Sequence, residues 1–225
     1  MLWQESQGHI DDLFAGSEPV LQGDQRIGPG SVLLRGFALA RVEALLAALE
    51  PLLVRAPFRH LLTPGGLRMA VAMSNCGALG WVSDRQGYRY ESIDPRSGLH
   101  WPEMPADFRA LASEAAAAAG YPDFSPDACL INRYLPGTRL SLHQDRDERD
   151  FSAPIVSVSL GLPATFLFGG LARTDKVDRI LLNHADVMVW GGSDRLRCHG
   201  VAPLKAGSHP LLGGQRINLT FRRAG

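Results

Sequence analysis

Apolar residues recur at helical spacing in two stretches and at strand spacing over most of the rest. Val42, Leu45, Leu46 and Leu49 share one face of a 3.6-residue period, which predicts an amphipathic helix over Arg41–Glu50. Pro51 should disturb it, because proline has no amide to close the turn. Phe108, Leu111 and Ala115 predict a second helix over Ala106–Ala119, favoured by its alanine run and stopped at Gly120. Ser31–Arg35 reads as a short strand. From Ala128 onward the period is two: Ile155–Leu160 alternates, then come Thr165–Phe168, Arg179–Leu182, Asp186–Trp190 and Gln215–Phe221. Short strands separated by turn residues predict a sandwich or jelly roll. Pro64–Tyr90, rich in glycine, polar residues and aromatics, predicts short strands or a mobile flap. Residues 1–30 read as a polar arm, loose at its start.

Composition narrows this picture little. The chain has 225 residues, 45% of them hydrophobic and 20% charged, enough for one domain with a real core. No stretch approaches a membrane span, and residues 1–15 lack the pattern of a signal peptide. Cys76, Cys129 and Cys198 are widely spaced and form no CxxC pair, which argues against a disulfide framework or zinc cluster and fits a reducing compartment. The net charge of zero hides an asymmetry, since Glu5, Asp11, Asp12, Glu18 and Asp24 all precede the first base, Arg26. Beyond them 18 acids face 23 bases, of which only Lys176 and Lys205 are lysine. Arginine suits bidentate contact with phosphate and carboxylate, so the charge permits a nucleic-acid partner without establishing one.

The candidate chemistry lies in His143-Gln-Asp145, the distant His199, and the run Arg216–Arg222. Residues two apart on a strand point the same way, so His143 and Asp145 can offer ligands side by side, with His199 arriving from another strand. Two imidazoles and one carboxylate suit non-haem Fe(II) with open positions. An HxD triplet alone is weak, and His184-Ala-Asp186 is a second one. That one lies between two apolar strands and is expected to be a turn, with Asp186 bonding local backbone. In the terminal run, Arg216, Asn218, Thr220 and Arg222 alternate with Ile217, Leu219 and Phe221. The polar set should therefore face a polar pocket, where two arginines need anionic partners such as the carboxylates of 2-oxoglutarate.

With these residues in view, the chain resembles the AlkB-type DNA alkylation-repair dioxygenases from about Ser31 to Ala224. The resemblance rests on Thr63-Pro-Gly-Gly, Asn75-Cys-Gly-Ala-Leu-Gly-Trp81, Gln86-Gly-Tyr88, Asn132-Arg-Tyr134, His143-Gln-Asp-Arg-Asp147, Ser157-Val-Ser-Leu-Gly161, Val189-Trp-Gly-Gly192 and Arg216–Arg222. It implies a mainly β (α+β) fold, a double-stranded β-helix with flanking N-terminal helices. That domain would span residues 31–225 and carry a nucleotide-recognition lid over 57–90. It implies that His143, Asp145 and His199 hold Fe(II), and that Asn132, Tyr134, Arg216, Asn218 and Arg222 hold 2-oxoglutarate. Trp81 would stack on an extruded base opposite His143, Tyr88, Arg89 and Tyr90 would touch the nucleotide, Asp147 would lie by the base, and Arg173 would line the approach.

The implied reaction spends O2 and 2-oxoglutarate to hydroxylate an N-methyl group on 1-methyladenine or 3-methylcytosine in single-stranded DNA or RNA. Formaldehyde, succinate and carbon dioxide leave. We expect a cytoplasmic monomer with no membrane partner. Lysines familiar on the DNA-facing rim appear as Arg139 and Arg146, while Leu67 and Cys198 stand where aromatics are familiar. A same-class hydroxylase acting on protein or a small molecule, and a non-catalytic nucleic-acid-binding module, are the alternatives. Trp190 is assigned to the core.

Overall fold

The computed structural model describes residues 23–225. In chain order the elements are β1 (Gln25–Gly28), β2 (Ser31–Leu34), α1 (Val42–Arg55), β3 (Ala72–Gly77), β4 (Gly80–Asp84), β5 (Gly87–Glu91), α2 (Ala106–Ala118), β6 (Ala128–Tyr134), β7 (Leu140–His143), β8 (Ile155–Gly161), β9 (Ala164–Phe168), β10 (Asp178–Leu182), β11 (Val187–Trp190), β12 (His199–Val201) and β13 (Arg216–Arg222). Seven strands form one antiparallel sheet in the order β1-β2-β11-β8-β13-β6-β3, and four form a second, β10-β9-β12-β7. The expected jelly-roll architecture is therefore present.

The larger sheet is buried on both faces, and strict alternation gives each face its own task. Outward, Val156, Val158, Leu160, Ile217, Leu219 and Phe221 pack under α1 and α2. Inward, Leu130, Tyr134, Met188 and Trp190 meet Phe166, Phe168 and Val201 of the smaller sheet. All seven residues of β13 are buried, so its polar members lie inside the protein.

Three boundaries differ from the sequence reading. The helix α1 continues through Pro51 to Arg55. Leu52 extends the buried stripe of Val42, Leu45 and Leu49, and burying a leucine is worth about 1.5–3 kcal/mol, which offsets much of the cost of about 3 kcal/mol that an interior proline carries. Pro51→Ala should therefore stabilise the protein, by about 1–2 kcal/mol in urea melts, because it restores a helix donor without touching that stripe. Pro64–Tyr90, expected to form short strands or a mobile flap, does form short strands, but they divide between two sheets. Its middle becomes β3, a buried strand of the larger sheet, and only β4 and β5 form a separate hairpin. Gln25–Gly28, read as part of the polar arm, pairs with β2 at the sheet edge. Residues 1–22 of that arm lie outside the described residues. No helix among the described residues is long and apolar enough to cross a membrane.

Candidate metal centre

Strand register brings the two histidines together. The smaller sheet pairs His199 at the start of β12 directly with His143 at the end of β7, and their ring centroids lie 4.4 Å apart. Asp145 follows just past the strand end. Its Oδ1 is 3.5 Å from His143 Nε2 and its Oδ2 is 3.7 Å from His199 Nε2. The three ligand atoms lie within 4.8 Å of one another.

Each imidazole is oriented from behind. His143 Nδ1 lies 2.9 Å from the Ser141 carbonyl, and His199 Nδ1 lies 3.1 Å from that of Arg197. A carbonyl can only accept, so both Nδ1 atoms carry the proton and both Nε2 lone pairs are left for a metal. Burial first, then the charge on His143, pushes His199 down to about 4, which keeps it a neutral ligand. Burial also pulls His143 down, but the hydrogen bond and charge of Asp145 outweigh it and leave that imidazole raised. Burial pushes Asp145 up, but Arg222, His199 and His143 outweigh it and hold the carboxyl well below its usual range. Two imidazoles beside an ionised carboxylate are a donor set that fits Fe(II), with a bound cation taking the place of any proton that Asp145 holds on His143.

The second HxD behaves as a turn. Asp186 accepts the Asn183 and Gly36 amides, each at 2.8 Å, and pairs with Arg35. His184 Nδ1 accepts the Gly161 amide, so its Nε2 carries the proton and offers no lone pair.

On β13, on the same inward face as Arg222, Arg216 is fully buried. Its Nε donates to Ser159 Oγ at 2.9 Å, its guanidinium lies 5.0 Å from the centre of the Tyr134 ring, and its Nη1 has no protein partner. Burial pushes this guanidinium down, against the support of Tyr134, and pushes the Tyr134 phenol up, against Arg216. Asn132, which pairs with Asn218 across β6 and β13, also has a buried Oδ1 without a partner. An under-satisfied buried cation suits a carboxylate, so this inner wall fits one end of 2-oxoglutarate. Asn218 is more fully committed: its amide donates to Ser157 Oγ and the Val158 carbonyl, and its oxygen accepts from Thr220. Arg222 gives Nε and Nη2 to Asp145 Oδ2 at 2.9 and 2.6 Å and also faces Glu148. Its partners are thus protein carboxylates, one of them the candidate metal ligand.

The hairpin places the aromatic residues. Asn75 brackets Trp81, accepting its amide and donating to its carbonyl, both at 3.0 Å. Tyr88 stacks on the Trp81 ring at 5.5 Å and 14°. Trp81 Nε1 donates to Asp147 Oδ2 at 2.7 Å, which ties the hairpin to the stretch that carries Asp145. Arg89 is held by Asp84 and Glu91 within its own hairpin. The Tyr90 hydroxyl donates to Glu148 at 2.8 Å. Arg139, Arg146 and Arg173 are exposed and form no ion pair among the described residues. Leu67 is exposed beyond the Thr63 turn, and Cys198 is buried with its Sγ 3.8 Å from the Leu171 carbonyl. Trp190 is buried in the core beside His199.

Sequence reasoning missed Glu148, Arg195 and the bracketing role of Asn75. Glu148 is buried among Tyr90, Arg222 and Arg195. The acidic run from Asp145 was a signal for it, but the buried partners come from three distant segments.

The sequence pattern of the 2OG-Fe(II) oxygenase superfamily matches residues 30–222. The chain belongs to that superfamily, as an AlkB-type dioxygenase dependent on Fe(II), 2-oxoglutarate and O2. It is 58% identical over 214 residues to the alpha-ketoglutarate-dependent dioxygenase AlkB of Escherichia coli (strain K12), covering 95% of this chain and 98% of that protein. It is 30% identical over 226 residues to the DNA N(6)-methyladenine demethylase ALKBH1D of Arabidopsis thaliana, covering 87% of this chain and 50% of that one. The solved structure of OsALKBH1 is similar with a TM-score of 0.77 and 29% identity, covering 89% of this chain and all of that one.

Proposed function

We propose that this chain is an oxidative demethylase of N-alkylated bases, with 1-methyladenine and 3-methylcytosine in single-stranded DNA and RNA as substrates. The observation that carries this reading is the Trp81–Tyr88 stack, tied through Asp147 to the stretch holding Asp145. An aromatic platform bonded two residues from a metal ligand suits a flat substrate presented to that metal. The demethylase relative adds support from outside the chain.

His143, Asp145 and His199 would hold Fe(II), and Arg216, Asn132 and Tyr134 would hold 2-oxoglutarate. Asn218 and Arg222 would fix the wall and the ligand around it. When bound, iron with 2-oxoglutarate and O2 supplies the oxidising power for hydroxylating the methyl carbon. The remaining work falls to the chain. Tyr88 covers one face of Trp81, and the base stacks on the other, a contact worth about 1–3 kcal/mol that does not depend on base identity. Methylation at these ring nitrogens makes the base cationic, and the exposed Asp147 carboxylate attracts it. The lesion cannot form its Watson–Crick pair, so extruding it costs less than extruding an intact base. Arg139, Arg146 and Arg173 are exposed and free to meet phosphates, while Arg89 and Tyr90 brace the hairpin.

The test is a 1-methyladenine oligonucleotide incubated with Fe(II), 2-oxoglutarate and O2. Formaldehyde and an unmethylated base should appear in equal amounts, with at least as much succinate. Iron-dependent succinate release with the methyl group retained would overturn the substrate assignment. Trp81→Ala should lower kcat/KM on the oligonucleotide about 10–100-fold, the loss expected for one stacking contact. Substrate-free consumption of 2-oxoglutarate should hardly change, because Trp81 touches Asp147 but not the ligand atoms.

A further inference from the structure

We propose that Arg195 is a positioning residue for the metal centre, acting through the loop that carries Asp145. This rests on the iron and 2-oxoglutarate reading above. Residues 144–154 belong to no helix or strand, yet they hold one candidate metal ligand, Asp145, and the tryptophan partner Asp147. A loop has no ladder to fix its carbonyls, so a ligand carried on it needs another restraint.

Arg195 supplies that restraint from a single buried guanidinium. Nη1 donates to the Asp145 carbonyl at 3.1 Å, Nε donates to the Ala153 carbonyl at 3.1 Å, and Nη2 lies 3.1 Å from Glu148 Oε2. The Phe151 ring lies 5.4 Å from its charged carbon. One rigid fork therefore touches the loop at its start, middle and end. The fork is itself well seated. Arg195 follows Asp194, whose carboxylate accepts from Ser31 Oγ at 2.6 Å and the Gly30 amide at 2.9 Å, at the start of β2. The larger sheet is thus the fixed frame, and the ligand loop is held to it.

Charge adds a second effect. Glu148 is buried between Arg195 and Arg222, and Arg222 is also the partner of Asp145. Without Arg195, Glu148 keeps only one guanidinium and competes with Asp145 for it. Arg195 thereby frees Arg222 to orient the ligand. Lysine cannot substitute, since a single ammonium does not reach three acceptors in a planar fork.

The experiment compares the full chain with its Arg195→Met and Arg195→Lys variants. Mn(II) binding is titrated without oxygen and with saturating 2-oxoglutarate, the visible spectrum of the Co(II)-loaded protein is recorded, and thermal melts report folding. Both variants should melt cooperatively, bind Mn(II) about 10–100-fold more weakly and show an altered Co(II) spectrum, as expected when an outer partner of a ligand is lost. Mn(II) affinity within twofold of the unsubstituted chain, with an unchanged spectrum, overturns the proposal in whichever variant folds. Failure of both variants to fold also overturns it, since the guanidinium would then serve the whole fold rather than the ligand loop. If the unsubstituted chain does not bind Mn(II), the metal reading itself fails, a result distinct from either of these.

Discussion

Asp145→Asn should abolish Mn(II) binding and lower turnover on the order of a thousandfold or more, measured as succinate release, while the protein stays folded. Loss of an outer-shell partner alone typically costs 10–100-fold, and Asp145 is a candidate ligand as well as the partner of Arg222. The side-chain shape is kept, and Arg222 retains Glu148, so no buried cation is stranded. The same variant carries a pH signature. Asp145 is held well below its unfolded value, so in the metal-free protein it contributes stability above about pH 4 that is lost as pH falls through its folded pKa. Urea melts in chelator should therefore show a shallower acid loss for Asp145→Asn than for the unsubstituted chain. Retained Mn(II) affinity in the variant would remove Asp145 from the ligand set.

The second large effect is expected at Arg216. Arg216→Met should raise the KM for 2-oxoglutarate about 30–1000-fold, the range that corresponds to a loss of 2–4 kcal/mol when one partner of a buried charge pair is truncated. The rate at saturating 2-oxoglutarate should change less, because on the proposed reading the residue would grip one end of the cosubstrate and not the reacting atoms. The fold should not suffer. Arg216 has an unpartnered Nη1 in a fully buried setting, and a methionine there removes that desolvation cost. The ligand-free melting temperature should stay level or rise, while the further stabilisation that 2-oxoglutarate adds to the Mn(II)-loaded chain should shrink at a fixed 2-oxoglutarate concentration. An unchanged KM would place the cosubstrate elsewhere.

Much of the architecture was legible because alternation is a local signal. In β13 the same seven residues display the polar pocket face and the apolar helix-facing side. The decoy at His184 was also legible, since a turn between two apolar strands explains Asp186 without a metal. His199 was harder. One histidine carries no periodicity, and its place becomes visible only when β12 pairs with β7. Pro51 misled because helix propensity is local while the burial of Leu52 against the sheet is not. The reading of Pro64–Tyr90 as short strands or a flap merged a core sheet strand with a hairpin, since β3 carries Ser74, Asn75 and Cys76 where an alternating apolar run would have marked it. Glu148 and Arg195 were missed for a related reason. Each looks like an ordinary surface charge in sequence, and only contacts across tens of residues turn them into buried partners.

The hairpin of β4 and β5 forms a ladder of its own, apart from both larger sheets. If the proposed function holds, the fold divides into an oxidising part built on the two larger sheets and a base-contacting hairpin joined to it partly through side-chain bonds at Asn75, Asp147 and Glu148. Such a partition lets the two halves drift at different rates. On the proposed reading, substitutions along the hairpin would retune which bases are accepted while the oxidising half stays intact, so long as its attachments persist. A lineage with this layout can change its substrates without reinventing its chemistry.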